Sequence, residues 1–117
     1  MAVLDALFGN RTASSVLTYL ALNESAYAQQ MADALRIPLS VVQKQLRRLE
    51  LAGVLASRLV GRTRLFSINP RFALAGELTT LLRRAFSLLP DEDKLPYESY
   101  RARPRLTGKP LRKLQRR

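Results

Sequence analysis

Ser40, Val41, Gln43, Lys44 and Arg47 fall on one side of a helical repeat whose opposite side carries Val42, Leu46 and Leu49. Read base by base, this set has a chemistry. A Gln amide can pair bidentately with adenine N6 and N7, a Lys ammonium can reach guanine or a phosphate, and a Val methyl can touch the methyl group of thymine. Short polar residues early in a helix and cations further along suit an element whose start meets base edges and whose later turns hold the backbone. The competing reading is a solvated helix face, since Gln and Lys are good helix formers. Arg58, Arg62 and Arg64 follow on a short basic hairpin. They could reach a minor groove or its flanking phosphates, or simply keep an exposed strand from pairing with other chains. Gln29 and Gln30 lie just upstream; a phosphate contact is conceivable there, but solvated surface is the plainer account.

The elements that must position these residues are legible around them. Ser25 is a candidate N-cap for a helix turning Ala28, Met31, Ala32 and Leu35 inward. Ile37-Pro38 cannot lie inside a helix, because Pro lacks the N–H and biases the residue before it away from helical angles. A tight turn therefore separates that helix from the next, which runs from Leu39 to about Ala52 and ends at Gly53. Two helices joined in this way form a helix-turn-helix. Val54 to Leu59 and Arg64 to Asn69 then read as two strands around Val60-Gly61-Arg62, with Gly61 supplying the positive φ of a tight turn. The expected fold is mainly α with a small β-hairpin wing, an α+β winged helix-turn-helix.

Upstream, Val3, Leu4, Leu7 and Phe8 have helical spacing, Gly9 can end that helix in a left-handed cap, and Asn10 can cap the next. From Arg11 to Leu22, Ala13, Val16, Leu17 and Leu20 make one apolar face. Downstream, Asn69-Pro70 stops the strand, and Arg71 to Leu89 reads as a long helix with a broad Leu-rich face. The surplus apolar area of these first and last helices predicts a homodimer seam built from Leu4, Leu7, Phe8, Leu78, Leu82 and Phe86, because a large wet apolar patch is unfavourable. Burial within a single core is the alternative. The domain is expected over residues 1–89. Residues 90–117 are expected to be an extended or disordered basic tail, with eight Lys or Arg and no acid from Arg101 onward. Its candidate roles are an arm on DNA or a dock for a protein partner through Leu106, Leu111, Leu114, Tyr97 and Tyr100.

Composition narrows the function classes. The chain has 117 residues, net charge +11, no Cys and no His. So positive a surface favours polyanions, since neutralising phosphates releases condensed counterions. Thiolate and imidazole chemistry are absent. The acids at Asp5, Glu24, Asp33, Glu50 and Glu77 are scattered, so no catalytic constellation is visible and no cofactor or metal is expected. No apolar run is long enough to span a bilayer, and the expected location is the cytoplasm. Neither divalent metals nor pH between about 6 and 8 is expected to switch binding, as no side chain here has an ordinary pKa in that interval.

Three segments, LFGNRT at 7–12, VQKQLRRLELAG at 42–53 and VGRTRLFSINP at 60–70, make the chain resemble small winged helix-turn-helix regulators of the ArsR-like class. The opening, the wing and AGELTTLLRRA at 75–85 are similar to stand-alone winged-helix proteins often associated with nucleotidyltransferases in bacteria and archaea. The resemblance covers residues 2–89. It implies a homodimeric transcriptional regulator, with terminal helices forming the dimer and residues 39–52 entering the major groove of double-stranded DNA. It also implies Ser40, Val41, Gln43, Lys44, Gln45 and Arg47 as contacts, with Arg62 at the wing tip. Metal-sensing members use Cys and His clusters that are missing here, so metal-triggered release is not carried over. The function expected is a sequence-specific repressor; the alternative is a winged-helix scaffold for another protein, with general nucleic-acid affinity.

Overall fold

The computed structural model describes residues 2–102. Six helices and three strands follow one another as α1 (Ala2–Phe8), α2 (Arg11–Asn23), β1 (Ser25–Tyr27), α3 (Ala28–Leu35), α4 (Leu39–Leu51), β2 (Leu55–Val60), β3 (Thr63–Ile68), α5 (Ala75–Ser87) and α6 (Asp91–Ala102). Gly9 takes φ +71° between α1 and α2, and Asn10 caps α2 by accepting the Ala13 N–H at 2.9 Å. Both roles were expected of these residues.

Helix α2 is the hub. Every residue from Ala13 to Ala21 is buried, as befits a helix enclosed on all sides; α1, α4, α5, α6 and β3 all pack on it. Its polar members keep partners: Ser14 donates to the Asp5 carboxylate, and Thr18 donates to the Ser14 carbonyl at 2.8 Å. Around it lie Leu4, Met31, Val42, Leu46, Leu55, Phe66 and Leu82, which complete the core.

Three expectations change. Ser25 does not cap α3. Instead Glu24, at φ +68°, closes α2, and residues 25–27 form a strand whose Ala26 faces Phe66 in antiparallel register. Tyr27 takes the N-cap position, its N–H bound at 3.1 Å by the Gln30 side chain. The helix expected over 71–89 is shorter: Asn69 folds the chain into turns, accepting from the Arg71 N–H through its side chain and the Phe72 N–H through its carbonyl, and α5 begins at Ala75.

The third change concerns the tail. Residues 91–102 are helical, not extended, with three acids in the first turn where the helix dipole favours negative charge. Tyr97 from α6 is buried against the core and meets the Phe86 ring edge-on at 5.7 Å. Of the arm expected over 101–117, residues 103–117 lie outside the described residues, as do Leu106, Leu111 and Leu114 of the expected dock; Tyr97, expected to dock with them, is instead held in this chain's own core. Among the described residues no helix is long and apolar enough to cross a membrane.

Candidate nucleic-acid interface

The wing is fastened to α4 by backbone geometry. Helix α4 ends in a Schellman motif: Gly53, at φ +85°, donates to the Glu50 carbonyl at 3.0 Å, and Val54 donates to the Leu49 carbonyl at 3.0 Å. Asn69 then closes the far side, its backbone N–H binding Val54 O at 2.9 Å and its side-chain amide binding Gly53 O at 3.0 Å. These bonds fix where the hairpin leaves the helix. Strands β2 and β3 pair antiparallel from Leu55 with Ile68 to Val60 with Thr63, leaving Gly61 and Arg62 as a two-residue turn with Gly61 at φ +66°.

At its start, α4 is oriented by the α3–α4 turn. Arg36 adopts the left-handed conformation, φ 57° and ψ 46°, and the Ile37 N–H returns to Ala32 O at 3.1 Å. Ile37 is buried, and the Pro38 carbonyl accepts the Val41 and Val42 N–H groups at 3.0 and 3.1 Å. Pro38 thus begins the helix rather than breaking it. With Val42, Leu46 and Leu49 buried, the exposed side of α4 presents Ser40, Val41, Gln43, Lys44 and Arg47.

Gln45, implied as a contact by resemblance, is not on that side. It is 7% exposed and accepts from Arg48 Nε at 2.9 Å. The cause is the helical repeat: position 45 lies three residues after Val42 and four before Leu49, on the inward stripe.

Between α4 and the wing runs a cleft of about 680 Å³, with Leu39 and Phe66 as its large apolar lining and Ala28 and Gln29 contributed by α3. Gln43, Arg47 and Glu50 line it from the helix, and Arg62, Thr63 and Arg64 from the hairpin. Three guanidiniums against one carboxylate give it a positive field that suits a polyanion. A hydrogen-bonded relay links two of its lining residues, in which Arg64 Nη1 donates to Ser57 Oγ at 3.1 Å and Ser57 Oγ donates to Glu50 Oε2 at 2.6 Å.

The three wing arginines are exposed but do not act as one group. Arg62 and Arg64 line the cleft, whereas Arg58 borders a separate depression with Ser25, Ala56, Ser57, Leu65 and Ser67; Arg58 pairs with Leu65 and Arg64 with Leu59, and successive cross-strand pairs face opposite sides of the sheet. Gln30 is committed within the fold, capping Tyr27 and donating to Tyr19 Oη at 3.1 Å. Glu50 and Ser57 were not singled out from sequence as part of the site. A signal existed for Glu50, which follows Gln43 by seven residues and Arg47 by three and so shares their helix side.

Of the six residues expected at a dimer seam, two are internal. Leu4 is 1% exposed and Leu82 is 0% exposed, both within the core of the single chain, where no second copy can reach them. Phe8, Leu78 and Phe86 are half-buried against that core, and Leu7 is exposed.

No family model matches the chain, and no curated protein matches it. Among solved structures, the YusO protein from Bacillus subtilis is similar over 86% of this chain and 88% of its own, at TM-score 0.54 and 20% identity. Two mutants of ZitR from Lactococcus lactis are also similar at 20% identity. One, in apo form, has TM-score 0.55 over 85% of this chain and 83% of its own; the other has TM-score 0.51 over 78% and 69%. The likeness establishes a winged-helix fold, an α-rich chain with a small three-stranded antiparallel sheet.

Proposed function

We propose that this chain is a sequence-specific DNA-binding transcriptional regulator of the ArsR-like kind. It lays α4 in the major groove and Arg62 and Arg64 of the wing on the neighbouring backbone or minor groove. The observation carrying this reading is the convergence of Gln43 and Arg47 with Arg62 and Arg64 on one open cleft, while Ser40, Val41 and Lys44 stay exposed on the same helix. Gln43 and Lys44 read base edges; Arg47, Arg62 and Arg64 hold phosphates. The net charge of +11 supplies long-range attraction. The simplest regulatory action is repression in the cytoplasm, by occupation of the operator.

The active species in this proposal is a homodimer. Leu74, Leu81 and Leu88 are exposed and recur every seven residues along α5 and its two ends, a spacing that suits a helix–helix seam. Glu77 and Arg84 flank Leu81 on either side. In an antiparallel pair centred on Leu81, Glu77 of each copy meets Arg84 of the other, as an isologous contact requires. Leu7 on α1 adds further exposed apolar surface. Two-fold symmetry then sets half-sites about 10 bp apart, or a multiple of that spacing.

Selection of bound duplexes from a random-sequence pool tests the reading. The expected result is an enriched, pseudo-palindromic site bound at least 1,000-fold more tightly than random DNA, a ratio on the order of that typical for specific regulators. No enrichment, with equal affinity for every duplex, would favour a protein-docking scaffold with general nucleic-acid affinity.

A further inference from the structure

From the geometry of the Glu50–Ser57–Arg64 relay we infer that Glu50 is a positioning residue for the DNA interface: acting through Ser57, it aims Arg64 and locks the wing to the helix beside it. The inference rests on the DNA-binding reading above.

Ser57 is placed to receive and to give. Its Oγ accepts from Arg64 Nη1 at 3.1 Å and directs its one proton to Glu50 Oε2 at 2.6 Å. A hydroxyl has one donor and two acceptor sites, so the proton's direction is set by its neighbours: a guanidinium cannot accept and a carboxylate cannot donate. The relay therefore has one polarity, with Arg64 at its donating end. Each link involves a charged group, and such hydrogen bonds are shorter and stronger than neutral ones. Glu50 belongs to the last turn of α4, Ser57 to β2 and Arg64 to β3, so the relay ties the end of α4 to both strands of the wing.

A guanidinium carries five N–H donors in a rigid plane. With one of them held by Ser57, the orientation of that plane is restricted while the remaining donors stay available to phosphate. The relay also accounts for an acid at this place. A carboxylate in a phosphate-binding cleft weakens general attraction, and here it acts at one remove, with a serine hydroxyl between it and the arginine. Without that hydroxyl, Glu50 and Arg64 can pair directly. One cation is then withdrawn from DNA, and the link between the wing tip and α4 passes from two directed hydrogen bonds to a solvent-screened ion pair.

The test compares full-length Ser57→Ala, Ser57→Thr and Glu50→Gln with the parent. One readout is amide hydrogen exchange of the wing. The other is the salt dependence of binding to a random-sequence 24-bp duplex. In Ser57→Ala, exchange at wing amides 57–66 should quicken at least tenfold while α2 amides keep parental protection, and the slope of log affinity against log salt should flatten by about 0.9, the equivalent of one neutralised phosphate. Ser57→Thr keeps the hydroxyl and should restore both. Glu50→Gln keeps an acceptor but removes the charge: the slope should stay parental or steepen, and wing exchange should lie between the parent and Ser57→Ala. Parental exchange and parental slope in Ser57→Ala would overturn the positioning role. So would a Ser57→Thr variant that behaves like Ser57→Ala. If the parent itself fails to bind duplex, the DNA reading falls and the role of Glu50 at that interface falls with it, while the exchange data still decide whether the relay tethers the wing.

Discussion

The side-chain amide of Asn23, at the end of α2, donates to the backbone carbonyl of Tyr97 in α6 at 3.3 Å, across 74 residues of sequence. The same nitrogen donates to Tyr19 O at 3.0 Å. One amide thus joins the central helix to the last described one, beside the buried Tyr97 ring. Tyr97→Ala should destabilise the fold by roughly 3 to 5 kcal/mol, the usual range for truncating a buried aromatic, whereas Tyr97→Phe should cost about 1 kcal/mol for removal of the hydroxyl and its hydrogen bond. Urea unfolding followed by circular dichroism measures both. Equal stability of Tyr97→Ala and the parent would show that α6 is not part of the core.

Burial raises the Tyr97 phenol above its ordinary pKa, with a hydrogen bond from Ser15 partly offsetting the effect. A raised folded-state pKa means that both states hold the proton below about pH 10, where this contribution to stability is fully present. Above that, the unfolded phenol ionises first and stability falls as pH rises towards the folded value. Thermal unfolding between pH 9 and 11 should therefore show a steeper decline in the parent than in Tyr97→Phe. Parallel pH profiles would contradict the assignment.

On α4, neighbouring glutamines should behave differently. Gln43→Ala and Lys44→Ala should each weaken binding to a selected duplex by roughly 1 to 3 kcal/mol with unfolding unchanged. Gln45→Leu, at a buried position, should leave DNA affinity within about twofold, since its side chain faces the core. Fluorescence anisotropy titrations on one duplex distinguish the three.

Adjacent leucines on α5 make a second contrast. Leu81→Glu, at a 42% exposed position, should give a folded monomer; Leu82→Glu, at a 0% exposed position, should unfold the chain, because a buried unpaired carboxylate is strongly unfavourable. Analytical ultracentrifugation at micromolar concentration, with circular dichroism for the fold, reads both outcomes. A dimeric Leu81→Glu variant would remove α5 from the seam.

Residues 103–117 carry seven Lys or Arg and no acid. Ending the chain after Ala102 should preserve the fold, reduce affinity for selected and random duplexes by similar factors, and lower the salt slope by about 0.9 for each phosphate that is no longer neutralised. An unchanged slope would exclude a DNA-backbone role for this segment. Cutting instead after Pro90 should unfold the protein, since it removes Tyr97.

Much of the architecture was legible because it is written in local chemistry. Pro38 and Gly53 bound α4, Gly61 marks the hairpin turn and Asn10 starts α2, each through a conformational preference that acts on immediate neighbours. The exposed row of Ser40, Gln43, Lys44 and Arg47 follows from the 3.6-residue repeat. That repeat also ruled against Gln45, which sequence reading admitted by resemblance alone. What sequence did not show was decided by partners far along the chain. Residues 25–27 are too short to declare a strand; they become one because β3, some 40 residues later, supplies the hydrogen bonds. Helix α6 has the composition of a solvated tail, and its place in the core depends on the Tyr97 ring meeting Phe86 and on the Tyr97 carbonyl accepting from Asn23. The apolar face of α5 was readable, but its division between a buried Leu82 and an exposed Leu81 depends on where α2 lies. Local periodicity ranks the sides of a helix; only the packing of the other helices determines which apolar residues lose their water.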